Sequence, residues 1–230
     1  MKVALKSITP NAEVNIVEIA RVSSNRQDKT EKPEGLINYL IKNKHWSPFQ
    51  HSYLTFEITT SKAIGIQLLR HLSFTFQEFS QRYAEVDSVE EIEFRKQADK
   101  NRQSSENILG SITVNLDECK TFIQDYEPSS EKIDLFFLFD EVAKALKGIL
   151  RLYKKLLKAG VAKECARMIL PIATTTTIYM TGSVRSWIHM LDIRDDAHSQ
   201  LEAQRVAQEI KKIFVKELPI ISRALGWLQD

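Results

Sequence analysis

Two runs rich in β-branched residues, each passing directly into a run of helical period, constrain this chain more than any other feature. In YLTFEITT, residues 53–60, Leu54, Phe56 and Ile58 alternate with Thr55, Glu57 and Thr59. That is the period-2 pattern of a strand with one buried face. SKAIGIQLLRH follows at helical spacing. IATTTTIYMTG, residues 172–182, reads as a second strand because β-branched side chains suit a pleated surface. SVRSWIHMLDIR then reads as a helix with Ser183 as its candidate N-cap. Elsewhere KVALKSI and EVNIVEIA are expected to be short strands or their approaches. EKPEGLINYLIKNK is helical, with Leu36, Ile37, Leu40 and Ile41 on one face, and Ser47 before Pro48 is pushed out of the helical region. KIDLFFLFDEVAKALKGILRLYKKLLKAG is a long amphipathic helix closed by Gly160. VAKECARMIL adds a turn or two before Pro171, and AHSQLEAQRVAQEIKKIFVKEL is a further helix. Residues 84–130 are polar and charge-mixed, and a helix with a mobile loop is expected there. Strands and helices do not strictly alternate, so the fold class is α+β.

Bulk properties exclude several classes of function. A chain of 230 residues suffices for one sizeable core. A formal net charge of +2 sets up no global field for nucleic acid or membrane, although a local basic pocket for a small anion remains open. Cys119 and Cys165 lack metal-type spacing, which fits a reducing cytosol and argues against a disulfide scaffold. No signal peptide is expected, and the longest apolar run, Leu135 to Phe139, is too short to span a bilayer. There is no GxGxxG, no GxxxxGK[ST] and no metal-binding histidine pattern, so dinucleotide, P-loop and metal chemistry lack support.

The chemistry-bearing residues gather in RHLSFTFQEFSQRY, residues 70–83. Gln67, Arg70 and His71 are spaced i, i+3, i+4 and would share a helix face. If the chain then extends, Glu78, Ser80 and Arg82 point the same way. Such a cluster suits a phosphate or a deprotonated heterocycle, because a guanidinium donates two parallel hydrogen bonds. An arginine–carboxylate network on a partly buried arm explains it equally. More than eighty residues on, Arg167 precedes MILP, Arg185 and His189 are i, i+4, and Arg194 lies nine residues past Arg185, on the opposite side of an ideal helix. Each also has a bland explanation: Arg167 as a helix C-terminal charge, Arg194 as an ion pair with Asp192 or Asp195, His189 as a packed histidine. Cys165 fits a buried, inert helix cysteine better than a nucleophile.

Four blocks resemble a known family. RHLSFTFQEFSQRY is similar to the signature of the flavin-dependent thymidylate synthases, Arg-His-Arg followed after seven residues by Ser. Arg70, His71 and Ser80 match in identity and spacing, and Glu78, Arg82 and Tyr83 sit where the family has them, while Leu72 replaces its second arginine. HWSPFQHSYLTFEI resembles the family's His-Glu-Ser/Thr-Pro-Phe-Glu-His segment, with Trp46 and Gln50 in place of its glutamates. CARMILP and TGSVRSWIHMLDIRDDAHSQLEAQ are similar to two further family blocks, and the short ARVS, residues 20–23, is also typical of the family. The resemblance implies a largely antiparallel sheet packed with helices, in one domain over residues 1–230 with a polar insert at 84–130. It implies conversion of dUMP to dTMP with 5,10-methylenetetrahydrofolate as carbon donor and FAD, refilled by NADPH, as hydride source. It implies a cytoplasmic homotetramer with shared sites. By resemblance Gln67, Arg70, Glu78, Ser80, Arg82, Arg167 and Arg194 would line the dUMP site, with Arg194 catalytic. Ser47, Arg70, His71, Glu78, Ser183, Arg185 and His189 would contact FAD, and His45 would lie near flavin and folate. No protein nucleophile is then required. A flavin- or nucleotide-binding homologue with impaired catalysis and a helical interaction module are the competing expectations.

Overall fold

In a computed structural model of the chain, residues 1–22, 32–98, 105–123 and 134–228 are described. The strands are β1 (Lys2–Ile8), β2 (Tyr53–Ser61), β3 (Phe74–Glu78), β4 (Ile92–Gln97), β5 (Ser105–Val114), β6 (Cys119–Ile123) and β7 (Thr175–Ser183). The helices are α1 (Ala12–Ala20), α2 (Pro33–Lys42), α3 (Lys62–Leu68), α4 (Leu135–Lys158), α5 (Lys163–Ala166), α6 (Val184–Arg194), α7 (Leu201–Glu217) and α8 (Pro219–Ala224). Short 3-10 turns occupy Ser47–Gln50 and Arg167–Ile169. One sheet runs β1-β2-β7-β3 and a second runs β4-β5-β6. This is the α+β class that the sequence indicates.

The chain divides into two compact units. One comprises Lys2–Ile58, Gln67–Gln77 and Ile178–Asp230, the other Met1, Thr59–Ile66 and Glu78–Thr177. In the first unit the inward face of β2 behaves as its alternation requires, with Leu54, Phe56 and Ile58 fully buried. Trp187 of α6 is the centre of this core. It meets Phe56 edge-on at 4.8 Å and Phe74 at 4.6 Å, and its indole N–H donates to the Leu54 carbonyl at 3.1 Å. A buried indole keeps its hydrogen bond because losing it would leave an unsatisfied donor. Ser183 caps α6 as its position suggests, its hydroxyl accepting from the Ser186 N–H at 3.2 Å.

The segment EVNIVEIA is helical rather than extended. Ala12, Ile16 and Val17 are all buried, at i, i+4 and i+5. Packing of that face outweighs the β preference of isoleucine and valine, which is worth less than such burial. Asn11 starts the helix from a left-handed conformation, φ 51°, which asparagine tolerates better than most residues. Asn15 Nδ2 on the same helix donates to the Ser52 hydroxyl at 2.9 Å.

In the second unit the polar stretch after residue 84 is a three-stranded antiparallel meander, not a helix with a loop. β4 pairs with β5, and β5 with β6. Residues 99–104 and 124–130 of that stretch lie outside the described residues. α4 covers one face of the meander. Ile112 and Val114 pack with Phe139, Ala143, Leu146 and Leu150, and Phe94 stacks on Phe139 at 4.3 Å. The other face keeps Phe122 exposed among Glu91, Glu93, Ser111, Thr113 and Lys120. With one face polar, the segment reads as hydrophilic overall, which is what obscured its strands. Asp134 caps α4 by accepting from the Phe136 N–H at 2.9 Å, and Gly160, at φ 86°, follows its end as expected of a left-handed C′ residue.

Candidate functional site

In the first unit, the centre of interest is the turn after α3. The helix ends at Leu68, so Arg70 and His71 do not continue its face with Gln67. They sit in the turn that leads into β3, and Arg70 is exposed. What the turn achieves is a meeting with the far end of α6. Arg194 Nε donates to His71 Nε2 at 3.0 Å, and a second guanidinium nitrogen donates to the Gln67 carbonyl at 3.4 Å. A guanidinium cannot accept, so His71 Nε2 is the acceptor and the ring is neutral with its proton on Nδ1. The electrostatics agree. Burial, then Arg194 and His189, hold the His71 pKa down to about 4. Burial and the charge of Arg70 also lower that of Arg194. Arg194 therefore does not pair with Asp192 or Asp195. Asp195 accepts instead from Lys211 Nζ at 2.7 Å. Two of the five N–H groups of Arg194 are used, leaving the other three for a ligand.

Beside this lies a cleft of about 460 Å³, lined by Trp46, Gln50, Ser73, Arg185, Ser186, Ile188, His189 and Asp192. Arg185 and His189 reach it together because they are one helical turn apart on α6, whereas Arg194 leaves the opposite side. Ser186 Oγ donates to the Ser73 carbonyl at 3.2 Å and so ties α6 to the approach of β3. Burial raises the Asp192 pKa, opposed by Lys211 and His189. The combination of an aromatic face, an aliphatic side chain and a few cationic and hydroxyl groups is what planar cofactors need. Ser47 and His45 are exposed and outside this lining; His45 packs edge-on to Tyr39 at 5.8 Å. The Ser183 hydroxyl is taken up by its helix cap. Gln67 Nε2 donates to Gln200 Oε1 at 2.6 Å, a partner that sequence spacing does not reveal.

In the second unit, β3 ends at Glu78 and the chain turns, with the Tyr83 N–H donating to the Ser80 carbonyl at 3.0 Å. The strand alternation expected to align Glu78, Ser80 and Arg82 therefore stops at the first of them. Glu78 is held by Lys62 and Thr176, neither of them singled out by motif. Arg82 lies 3.5 Å from Glu164, and both are well exposed. A pair so open to water contributes little, so Arg82 can exchange Glu164 for another anion at small cost. Arg167 begins the 3-10 turn after α5, and its Nε is buried without a hydrogen-bond partner. A buried cationic donor left unpaired is costly unless something else satisfies it, which sets Arg167 apart from an ordinary helix-end charge. Cys165 is exposed rather than buried. Among the described residues no group of carboxylates, histidines and cysteines could hold a metal ion, and no helix is long and apolar enough to cross a membrane.

Comparison with known proteins gives these features a context. Residues 4–220 match the family described as thymidylate synthase complementing protein. The chain is 41% identical over 219 residues to a protein of Paramecium bursaria Chlorella virus 1 named "Probable flavin-dependent thymidylate synthase", spanning 94% of this chain and 92% of that one. It is 40% identical over 213 residues to the flavin-dependent thymidylate synthase of Synechocystis sp., spanning 92% and 88%. The fold is similar to that of the UMP/dUMP methylase PolB from Streptomyces cacaoi, whose crystal structure is bound with 5-Br dUMP. The TM-score is 0.73 at 24% identity, over 98% of this chain and 94% of that one.

Proposed function

The chain belongs to the thymidylate synthase complementing protein family, and we propose on that premise that it is an FAD-dependent thymidylate synthase. It methylates dUMP to dTMP, with 5,10-methylenetetrahydrofolate as carbon donor and NADPH as the source of reducing equivalents. The observation that carries this reading is the contact of Arg194 with His71, residues 123 apart in sequence. It brings the signature histidine against an arginine of the last family block, with three guanidinium N–H groups to spare. A guanidinium on the uracil edge favours the ionised, polarised ring that attack requires. Arg82 and Arg167 are assigned to the phosphate, the stronger anion, and Gln67, Arg70, Glu78 and Ser80 to the rest of the nucleotide. The unpartnered Nε of Arg167 supports its part.

The residues present suit a flavin. Trp46 and Ile188 offer apolar surface in the cleft, and Arg185 and His189 offer donors. Bound there, FAD would supply the hydride, and the chain supplies position and field. Neutral His71 keeps its Nδ1–H as a donor toward the cofactor. Ser47, Glu78 and Ser183 are assigned with it by family resemblance, as is His45 near the folate. We assign the cytoplasm as compartment and a homotetramer with shared sites as the working assembly. The test is direct: the purified protein should be yellow, and its flavin band should shift on adding dUMP. A colourless protein that stays inert to FAD and dUMP would overturn the reading.

A further inference from the structure

Lys62 opens α3 directly from the end of β2, and its backbone N–H donates to the Thr174 carbonyl at 2.8 Å. Its base is thus fixed by main-chain pairing. Its ammonium donates to both oxygens of Glu78, at 2.7 Å to Oε1 and 2.6 Å to Oε2. The Thr176 hydroxyl donates to Oε1 as well, at 2.9 Å. The pair is mostly shielded, with side chains 31% and 18% exposed. The other acid nearby is committed elsewhere: Glu90 accepts from the Thr60 hydroxyl at 3.2 Å and from the Ser61 N–H, and lies 3.2 Å from the N-terminal ammonium. Oε1 of Glu78 therefore carries two donors and Oε2 one. Each carboxylate oxygen accepts about two hydrogen bonds, so Oε2 keeps a position open and the carboxylate plane is fixed around it.

We propose that Lys62 is a positioning residue that acts through Glu78, turning Oε2 outward as the acceptor for a hydroxyl or N–H of the bound ligand. The inference rests on the assignment of Glu78 to the binding site made above. An ammonium suits this task because it is a compact charge that satisfies two oxygens at once without demanding a planar fork. Without it, Glu78 loses two of its three hydrogen bonds and keeps only the one from Thr176, so its carboxylate is free to rotate.

The test is steady-state kinetics of the FAD-loaded enzyme, with dUMP varied, for wild type, Lys62→Met, Lys62→Arg, Glu78→Gln and the double variant Lys62→Met/Glu78→Gln. Lys62→Gln replaces the Met variant should that one fail to fold. Loss of a charge-assisted hydrogen bond should raise KM for dUMP about tenfold, with a smaller fall in kcat. Lys62→Arg, which keeps the charge, should recover most of the loss. On the Glu78→Gln background the lysine change should add less than about twofold, because residues acting as one unit are not additive. A Lys62→Met enzyme with lowered thermal midpoint but normal KM and kcat overturns the proposal in favour of a purely structural lysine. Effects that multiply in the double variant overturn it in favour of direct ligand contact. A defective Glu78→Gln beside a normal Lys62→Met sinks only the lysine's role. A normal Glu78→Gln removes the assignment of Glu78 itself, and the lysine's role with it.

Discussion

At the scale of single residues, the account turns on a guanidinium that is half withdrawn from water and an imidazole that has no proton to spare for it. Arg194→Ala should leave the chain folded, because the side chain is only partly buried and its partners face solvent in part. Turnover should fall about 10²–10³-fold, as when a charge-stabilising donor is removed; dTMP formation by the variant checks this. His71 carries a second prediction. Its pKa is held at about 4, against an ordinary 6.5, by burial first and by Arg194 and His189 second. Between pH 6.5 and about 4 the unfolded chain binds more protons at this position than the folded one. The stabilisation is therefore complete above pH 6.5 and is lost as pH falls toward 4. Thermal midpoints measured across that window should fall with pH, and should fall less in His71→Gln, whose amide oxygen still accepts from Arg194. An equal slope in both proteins would place the titration elsewhere. The residues of this site were legible in part. His71, Arg194, Arg185 and His189 are visible in sequence through the family resemblance, since by type and spacing alone each has an ordinary structural explanation. Lys62, Thr176 and Gln200 are not, since single polar residues gain partners only through the fold.

At the scale of elements, the close approach of β7 and β3 makes a sharp prediction. A Cβ at Gly182 would run into the ring of Phe74, which is buried and packed against Trp187. A ring pinned on that side has nowhere to move, so Gly182→Ala should cost about 1–3 kcal/mol in urea unfolding, the usual range for overpacking. Gly148, on the exposed side of α4 with open space around its Cα, is the control. Gly148→Ala should stabilise by about 0.5–1 kcal/mol through helix propensity. The same elements show what sequence patterns can convey. β2, β7, α4 and α6 each have one apolar face at one clear period, and they form where the sequence puts them. α1 and the β4-β5-β6 meander do not. In α1 valine and isoleucine favour a strand locally, and packing of Ile16 and Val17 decides otherwise. In the meander one exposed polar face and residues such as Arg95, Lys96 and Gln97 mask the alternation of Gly110, Ile112 and Val114.

At the scale of the whole molecule, the large apolar side chains of Phe137, Met168 and Ile172 are 65%, 78% and 67% exposed. They accord with the proposed homotetramer, since large apolar residues left in water tend to mark contact surfaces. Light scattering on the purified protein should give about four times the 26.5 kDa of one chain, and a monomeric mass would exclude sites shared between copies. Fold class and family were legible over most of the chain because four separated blocks occur in the family's order. Their geometry was not, since the contact of Arg194 with His71 depends on how α6 meets the turn after α3. The central claim is that these residues serve methylation of dUMP by a flavin-dependent route with no protein nucleophile. Tritium release from [5-³H]dUMP, in the presence of methylenetetrahydrofolate and NADPH and with or without added FAD, tests it most directly. The account predicts release that requires the folate and flavin and persists in Cys165→Ser. A flavin-loaded protein that releases no tritium under these conditions would contradict it.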